Sequence, residues 1–344
     1  MKFSLIIPVY NVAEFLPDCI NSCLDQQSMV LGKDYEIILV NDGSTDKSGE
    51  IIDQTMHRFE ARSAGHQTDA AAVASIGGGY LSINQPNSGV SSARNNGFRH
   101  AKGEYVWFID SDDFIAPNSL SLINQLLDKE KSDIIEIKRN VIPEEYKYSS
   151  DRAISLQDLD KPQSGANTAI NYVVKRDYLI TKEISFKDGM AYGEDFLWCF
   201  WIKFHSNKDI PQVKETLYFY RQRASSAMHN KSFEKHLNGM LMMLDAYTEA
   251  INKYGANHSP EKIKELRHRI NWTVDNILLD AVRLPHKKCL AIRQDLKSKG
   301  LINHELNWNR LTFKHGYKNF MSSLIGLPLK FKAYYIFLNY LLGR

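Results

Sequence analysis

Three carboxylates fall within four positions, Asp110, Asp112 and Asp113, directly after the apolar run Tyr105 to Ile109. Paired acids of this kind suit a hard divalent ion, Mg²⁺ or Mn²⁺, that keeps positions open for the oxygens of a bound diphosphate. Asp110 and Asp112 are two apart, so on an extended chain both side chains are expected on one face. Asp113 alone reads equally well as the cap of a following helix. A second acidic pair, Glu194-Asp195, follows Gly193 and precedes an aromatic helical stretch; by itself it reads as a helix N-terminus decorated with acids. Arg221, Arg223 and Ser225-Ser226 form a basic, hydroxyl-bearing segment whose plain alternative is a solvated turn. His229 is a lone imidazole, a type more often structural than ligating.

The elements that must position these residues are legible from periodicity. Phe3 to Val9, Tyr35 to Val40, Tyr80 to Gln85, Tyr105 to Ile109 and Asp133 to Lys138 read as strands, with helical spacing between them. That alternation predicts an α/β domain with a mostly parallel sheet covered on both faces, and ligands at the carboxyl ends of its strands. Asn11 with Glu14, and Ser44 or Thr45, are expected to cap the first two helices, and Gly103 to end the third. Residues 61–79, rich in Ala, Ser and Gly, read as a flexible insertion. From about 143 to 182 the pattern weakens, and Thr216 to Arg221 reads as a further strand. Beyond about Ser232 the chain turns helical. The expected division is therefore 1–230 and 231–344, the latter a smaller helical region.

Composition excludes several classes. Across 344 residues the formal charge is only +3, so the total implies no nucleic-acid partner, and 43% hydrophobic residues supply an ordinary core. The four cysteines show no Cys-x-x-Cys pair and no zinc-like spacing. The first apolar run is short and broken by Pro8, so it reads as a strand of the fold and the expected location is cytoplasmic. Within 317–344, Phe331, Tyr334, Tyr335, Leu338, Leu341 and Leu342 recur at helical spacing beside Lys318, Lys330, Lys332 and Arg344. This tail reads either as an interfacial helix on the inner face of the cytoplasmic membrane or as a last helix docked on the protein.

Taken in order, Pro8-Val9-Tyr10-Asn11, Val40-Asn41-Asp42-Gly43-Ser44-Thr45-Asp46, Asn87-Ser88-Gly89 with Ala93-Arg94-Asn95-Asn96-Gly97, Asp110-Ser111-Asp112-Asp113 and Gly193-Glu194-Asp195 resemble the inverting family 2 glycosyltransferases of GT-A fold. The resemblance implies a metal-dependent transfer of one sugar from a nucleotide-diphosphate sugar to a hydroxyl of a glycan or lipid-linked saccharide in cell-surface polysaccharide synthesis. It assigns Pro8, Val9, Tyr10 and Asp42 to the nucleotide base, Arg94 to the diphosphate or the donor sugar, Arg221, Arg223 and Ser225-Ser226 to a segment that closes over the donor diphosphate, Asp110 to the ribose or the metal, and Asp112 to the Mn²⁺ or Mg²⁺. Asp195 becomes the general base, with Glu194 shaping the acceptor site or holding Asp195. The processive members' Gln-x-x-Arg-Trp motif is missing, and homo-oligomerisation stays open. Competing readings are a non-catalytic nucleotide-sugar binder, a nucleotidyltransferase, and an Asp-x-Asp phosphatase. The last two fit less well: Phe114 replaces the Thr or Val expected in the phosphatase, and the loop after the first strand lacks glycine.

Overall fold

The centre of the sheet is β1 (Phe3–Val9), buried at every position, as is nearly all of β2 (Tyr35–Asp42). Runs without alternation are what a strand covered on both faces requires. The protein is described here by a computed structural model over residues 1–63, 79–149, 167–223, 232–255, 258–281 and 284–302. In chain order β1 is followed by α1 (Leu16–Leu24), β2, α2 (Ser48–Ser63), β3 (Tyr80–Gln85), α3 (Val90–His100) and β4 (Tyr105–Phe108). Next come β5 (Phe114–Ile115), α4 (Ser119–Glu130), β6 (Ile134–Pro143), β7 (Tyr172–Lys175), α5 (Arg176–Thr181), α6 (Glu194–His205) and β8 (Gln212–Gln222). The sheet order is β3-β2-β1-β4-β7-β6-β8-β5.

β1, β2, β3 and β4 run parallel, while β7 pairs antiparallel to both β4 and β6. From β1 the chain adds β2 and β3 on one side and then β4 on the other. The crevice outside the carboxyl ends of β1 and β4 is thus the switch point at which such sheets bind ligands. One face of the sheet packs Leu5, Ile37 and Trp107 with Cys19, Ile52 and Leu120 of α1, α2 and α4. The other packs Ile6, Ile38 and Phe108 with Ala93, Leu179 and Trp198 of α3, α5 and α6.

Several local expectations are corrected. β4 stops at Phe108, and the Asp113 N–H closes a turn on the Asp110 carbonyl, so Asp110 and Asp112 stand on a turn rather than on an extended strand. Asn11 does not cap α1: its backbone is left-handed, and its side-chain oxygen accepts from the Thr45 N–H at 2.7 Å, tying the end of β1 to the loop after β2. Asp46, not Ser44 or Thr45, receives the Ser48 N–H at the start of α2. Gly103 is not the C-cap of α3; it is small because a Cβ there would lie 2.5 Å from the backbone of Phe3. The weak stretch before 182 contains β7 and α5. Residues 64–78 of the expected insertion, and the tail at 317–344, lie outside the described residues, as do Ser225, Ser226 and His229.

The described residues of 1–243 form one compact unit and those of 244–344 a second, the division falling within α7 (Phe233–Tyr254). The second unit contains α8 (Pro260–Ala281) and α9 (His286–Ser298). Charge is segregated between the two: 26 Lys and Arg against 32 Asp and Glu in the first, 17 against 8 in the second. The near-neutral total conceals that contrast. Among the described residues no helix is long and apolar enough to cross a membrane.

Candidate active site

The acids expected to do chemistry meet at the β1/β4 crevice through one arginine. Arg94, on α3, places Nη2 2.8 Å from Asp110 Oδ1 and Nη1 2.9 Å from Asp195 Oδ1, with Glu194 Oε1 at 3.8 Å. Its side chain is 3% exposed and its guanidinium lies 5.0 Å from the ring of Phe186, which stacks in turn on Trp198 of α6. Asn95 fixes that ring by a two-way bond with the Phe186 backbone, donating to its carbonyl at 2.8 Å and accepting from its N–H at 3.0 Å. Arg94 is therefore a buried bridge between the turn after β4 and the start of α6. It stays charged, held well above its usual range by Asp195, Asp110 and Glu194 against the effect of burial.

One cation facing three acids leaves the cluster negative. Burial is the largest influence on Asp195, and with Glu194 and Asp110 it outweighs Arg94, pushing the carboxyl up to about 7. A carboxylate with that value, oriented by Arg94 and the Ala169 N–H, can take a proton near neutrality. Gly193, in a left-handed conformation, starts α6 and lets the chain turn so that both acids stand in its first turn.

The turn after β4 is held from below. Tyr218 of β8, fully buried, donates to Asp113 Oδ2 at 2.6 Å and accepts from the Asp110 N–H at 3.1 Å, while Asp113 Oδ1 accepts from the Arg221 N–H at 2.7 Å. Asp113 is thus a buried anchor and caps no helix. Burial, with Asp112 and Asp110 nearby, raises it well above the usual carboxylate range. Asp112, also raised by burial and then by Asp110, meets Arg223 Nη2 at 2.6 Å. The two acids Asp110 and Asp112 fit a hard dication: each has only one oxygen in these ion pairs, and their mutual repulsion is what such an ion relieves. Among the described residues no three of His, Cys, Asp and Glu form a ready-made cage.

The remaining sequence candidates are placed unequally. Pro8 and Val9 are buried in β1, and only Tyr10, about half exposed, turns its side chain outward. Asp42 is buried and accepts from Gln85 Nε2 at 2.8 Å, the Ser88 N–H at 2.8 Å and the Gly89 N–H at 2.9 Å, fixing the loop that begins α3. Arg221 is buried as well, with Nη2 2.9 Å from Asp18 Oδ2 and its guanidinium over Phe15. The arginine that reaches the acids is its neighbour Arg223. Asn95, Phe186 and Tyr218 were not predicted from sequence: Asn95 lies inside Ala93-Arg94-Asn95-Asn96-Gly97, whereas Phe186 and Tyr218 belong to no motif.

Residues 4–174 match the family described as glycosyl transferase family 2. The chain is 26% identical over 298 residues to the uncharacterized glycosyltransferase EpsJ of Bacillus subtilis, covering 79% of this chain and 77% of that one. It is 34% identical over 134 residues to a poly(ribitol-phosphate) beta-glucosyltransferase of Bacillus spizizenii, which covers 39% of this chain but only 18% of that protein. Residues 1–349 of Staphylococcus aureus TarS, solved with UDP-GlcNAc, share the fold with a TM-score of 0.57 and 18% identity, over 84% of this chain and 83% of that one.

Proposed function

Since the chain belongs to glycosyl transferase family 2 and has its GT-A fold, we propose that it moves a single sugar, with inversion, from a nucleotide-diphosphate sugar to a hydroxyl of a glycan or lipid-linked saccharide in cell-surface polymer synthesis. The observation that carries this reading is the Arg94 bridge, which holds a diphosphate-side acid, Asp110, and a candidate base, Asp195, on opposite ends of one guanidinium. Inverting transfer needs both: a base takes the acceptor proton while charge on the departing diphosphate is neutralised. Asp195 accepts the proton of the acceptor hydroxyl, and Glu194 beside it lines the acceptor side. Asp110 and Asp112 would hold Mn²⁺ or Mg²⁺, which when bound supplies the charge neutralisation. Tyr10 offers an open ring to the nucleotide base, and Asp42 shapes the loop beneath it.

A UDP-sugar donor is favoured by the UDP-GlcNAc complex of TarS, and a cell-surface polymer acceptor by the name of the Bacillus spizizenii relative. The test is to incubate the protein with a panel of nucleotide sugars and Mn²⁺ and follow nucleoside diphosphate release. Release from one donor should fall by at least ~10²-fold with chelator and in Asp112→Ala, since metal stabilisation of the leaving group contributes several kcal/mol. Binding to no donor on the panel would overturn the assignment.

The basic excess of residues 244–344 and the aromatic, basic tail support peripheral contact with an anionic membrane surface, on its cytoplasmic side. Ending the chain after Gly316 is expected to shift the protein from the membrane to the soluble fraction with donor hydrolysis intact. Unchanged partitioning would refute this part alone.

A further inference from the structure

The ion pair between Arg223 and Asp112 has no counterpart in the proposed chemistry. Arg223 is the first residue past β8, its Nη2 lies 2.6 Å from Asp112 Oδ2, and both side chains are 20% exposed. Its guanidinium sits 5.3 Å from the Phe15 ring, and its Nε is buried with no hydrogen-bond partner among the described residues. Among the described residues, Arg223 is the cation that pairs with Asp112, two positions from the carboxylate of Asp110. The Asp112 carboxylate is the one assigned to the divalent ion.

We propose that Arg223 is a placeholder for the divalent cation on Asp112, so that ion binding requires the guanidinium to be displaced and is favoured when an incoming diphosphate gives that guanidinium a new partner. This inference rests on the metal-dependent reading above and deepens it. Two cations compete for one carboxylate, and the apparent affinity of the ion is lowered by the fraction of molecules in which Arg223 is paired. A guanidinium released beside a diphosphate can engage it through two parallel N–H bonds, which an ammonium cannot reproduce. By linkage, whatever the nucleotide adds to ion affinity the ion adds to nucleotide affinity. Arg223 thereby makes the two ligands bind as a pair, and keeps the acids from being loaded by the ion alone.

The test is Mn²⁺ binding to the full chain in the absence of nucleotide, followed by the paramagnetic resonance signal of the unbound ion, for the wild type, Arg223→Gln, Arg223→Lys and the Arg223→Gln/Asp112→Ala double variant. The expected result is that Arg223→Gln binds Mn²⁺ at least ~10-fold more tightly than wild type, as removal of a paired state populated to ~90% or more requires. Arg223→Lys, which keeps the charge, should stay near wild type, and the double variant should lose the gain. If Arg223→Gln binds Mn²⁺ no better than wild type, while both bind it with a nucleoside diphosphate present, the placeholder role is overturned and the metal-dependent reading stands. If neither binds Mn²⁺ with or without UDP, GDP, CDP or TDP, the metal reading falls and the placeholder role with it.

Discussion

Asp195→Asn is expected to reduce sugar transfer by about 10³-fold, within the range by which a positioned general base accelerates proton transfer, while donor binding is retained. The amide keeps the shape of the side chain and an oxygen to face Arg94 Nη1, so the fold and the donor side are left in place. Transfer and donor affinity should therefore separate, which distinguishes an enzyme from a nucleotide-sugar binder that has no use for this acid. The wild-type pH profile offers a second reading. Asp195 titrates at about 7 and works as a base only when ionised, so kcat/KM should climb about tenfold per pH unit below that value and level off above it. A variant that transfers at the original rate, or a wild-type profile flat between pH of about 5 and 8, would remove Asp195 from the role of base.

Arg94→Met should be the most destabilising substitution in the site, by about 3–5 kcal/mol near pH 8, because it leaves buried acids without their cation. The side chain is 3% exposed and pairs with Asp110 and Asp195 within 3 Å, so solvent does little to screen the loss. The deficit should depend on pH in a defined direction. Without the guanidinium, the folded-state pKa of Asp195, already raised, rises further above its unfolded value. Such a group stabilises the fold fully below its unfolded pKa and loses that contribution as pH rises through the folded one. The variant should therefore approach wild-type Tm near pH of about 5 and fall away from it above about 7. Arg94→Lys should recover part of the stability, since its charge remains, but not the two-sided geometry, since one ammonium cannot span both carboxylates as a planar fork does. Equal Tm losses at pH 5 and pH 8 would show that packing against Phe186, rather than charge, is what Arg94 contributes.

Much of this protein was determined by local sequence. The short, mostly apolar runs Phe3 to Val9 and Tyr35 to Val40 pointed to strands buried on both faces, and their alternation with helical spacing implied the parallel sheet. Asp110 to Asp113 follow such a run, which placed acids at the crevice before any contact was known, and the ordered motifs from Pro8 to Asp195 carried the family. These signals repeat over a few residues, and the physics that produces them, side-chain periodicity and burial, acts over the same span. What the tertiary structure decided lies between residues far apart in the chain. Arg94 and Asp195 are separated by 101 positions, Tyr218 and Asp113 by 105. Sequence could name Arg94 as a donor contact, but only the packing of α3 against the loop before α6 turns its guanidinium inward, onto two acids at once. Likewise Arg221 and Arg223 are alike in type and spacing, and it is the register of β8 beside β6 and β5 that buries the first on Asp18 and delivers the second to Asp112. Local propensity chooses an element; which of its side chains meets a charge depends on what the rest of the chain has packed against it.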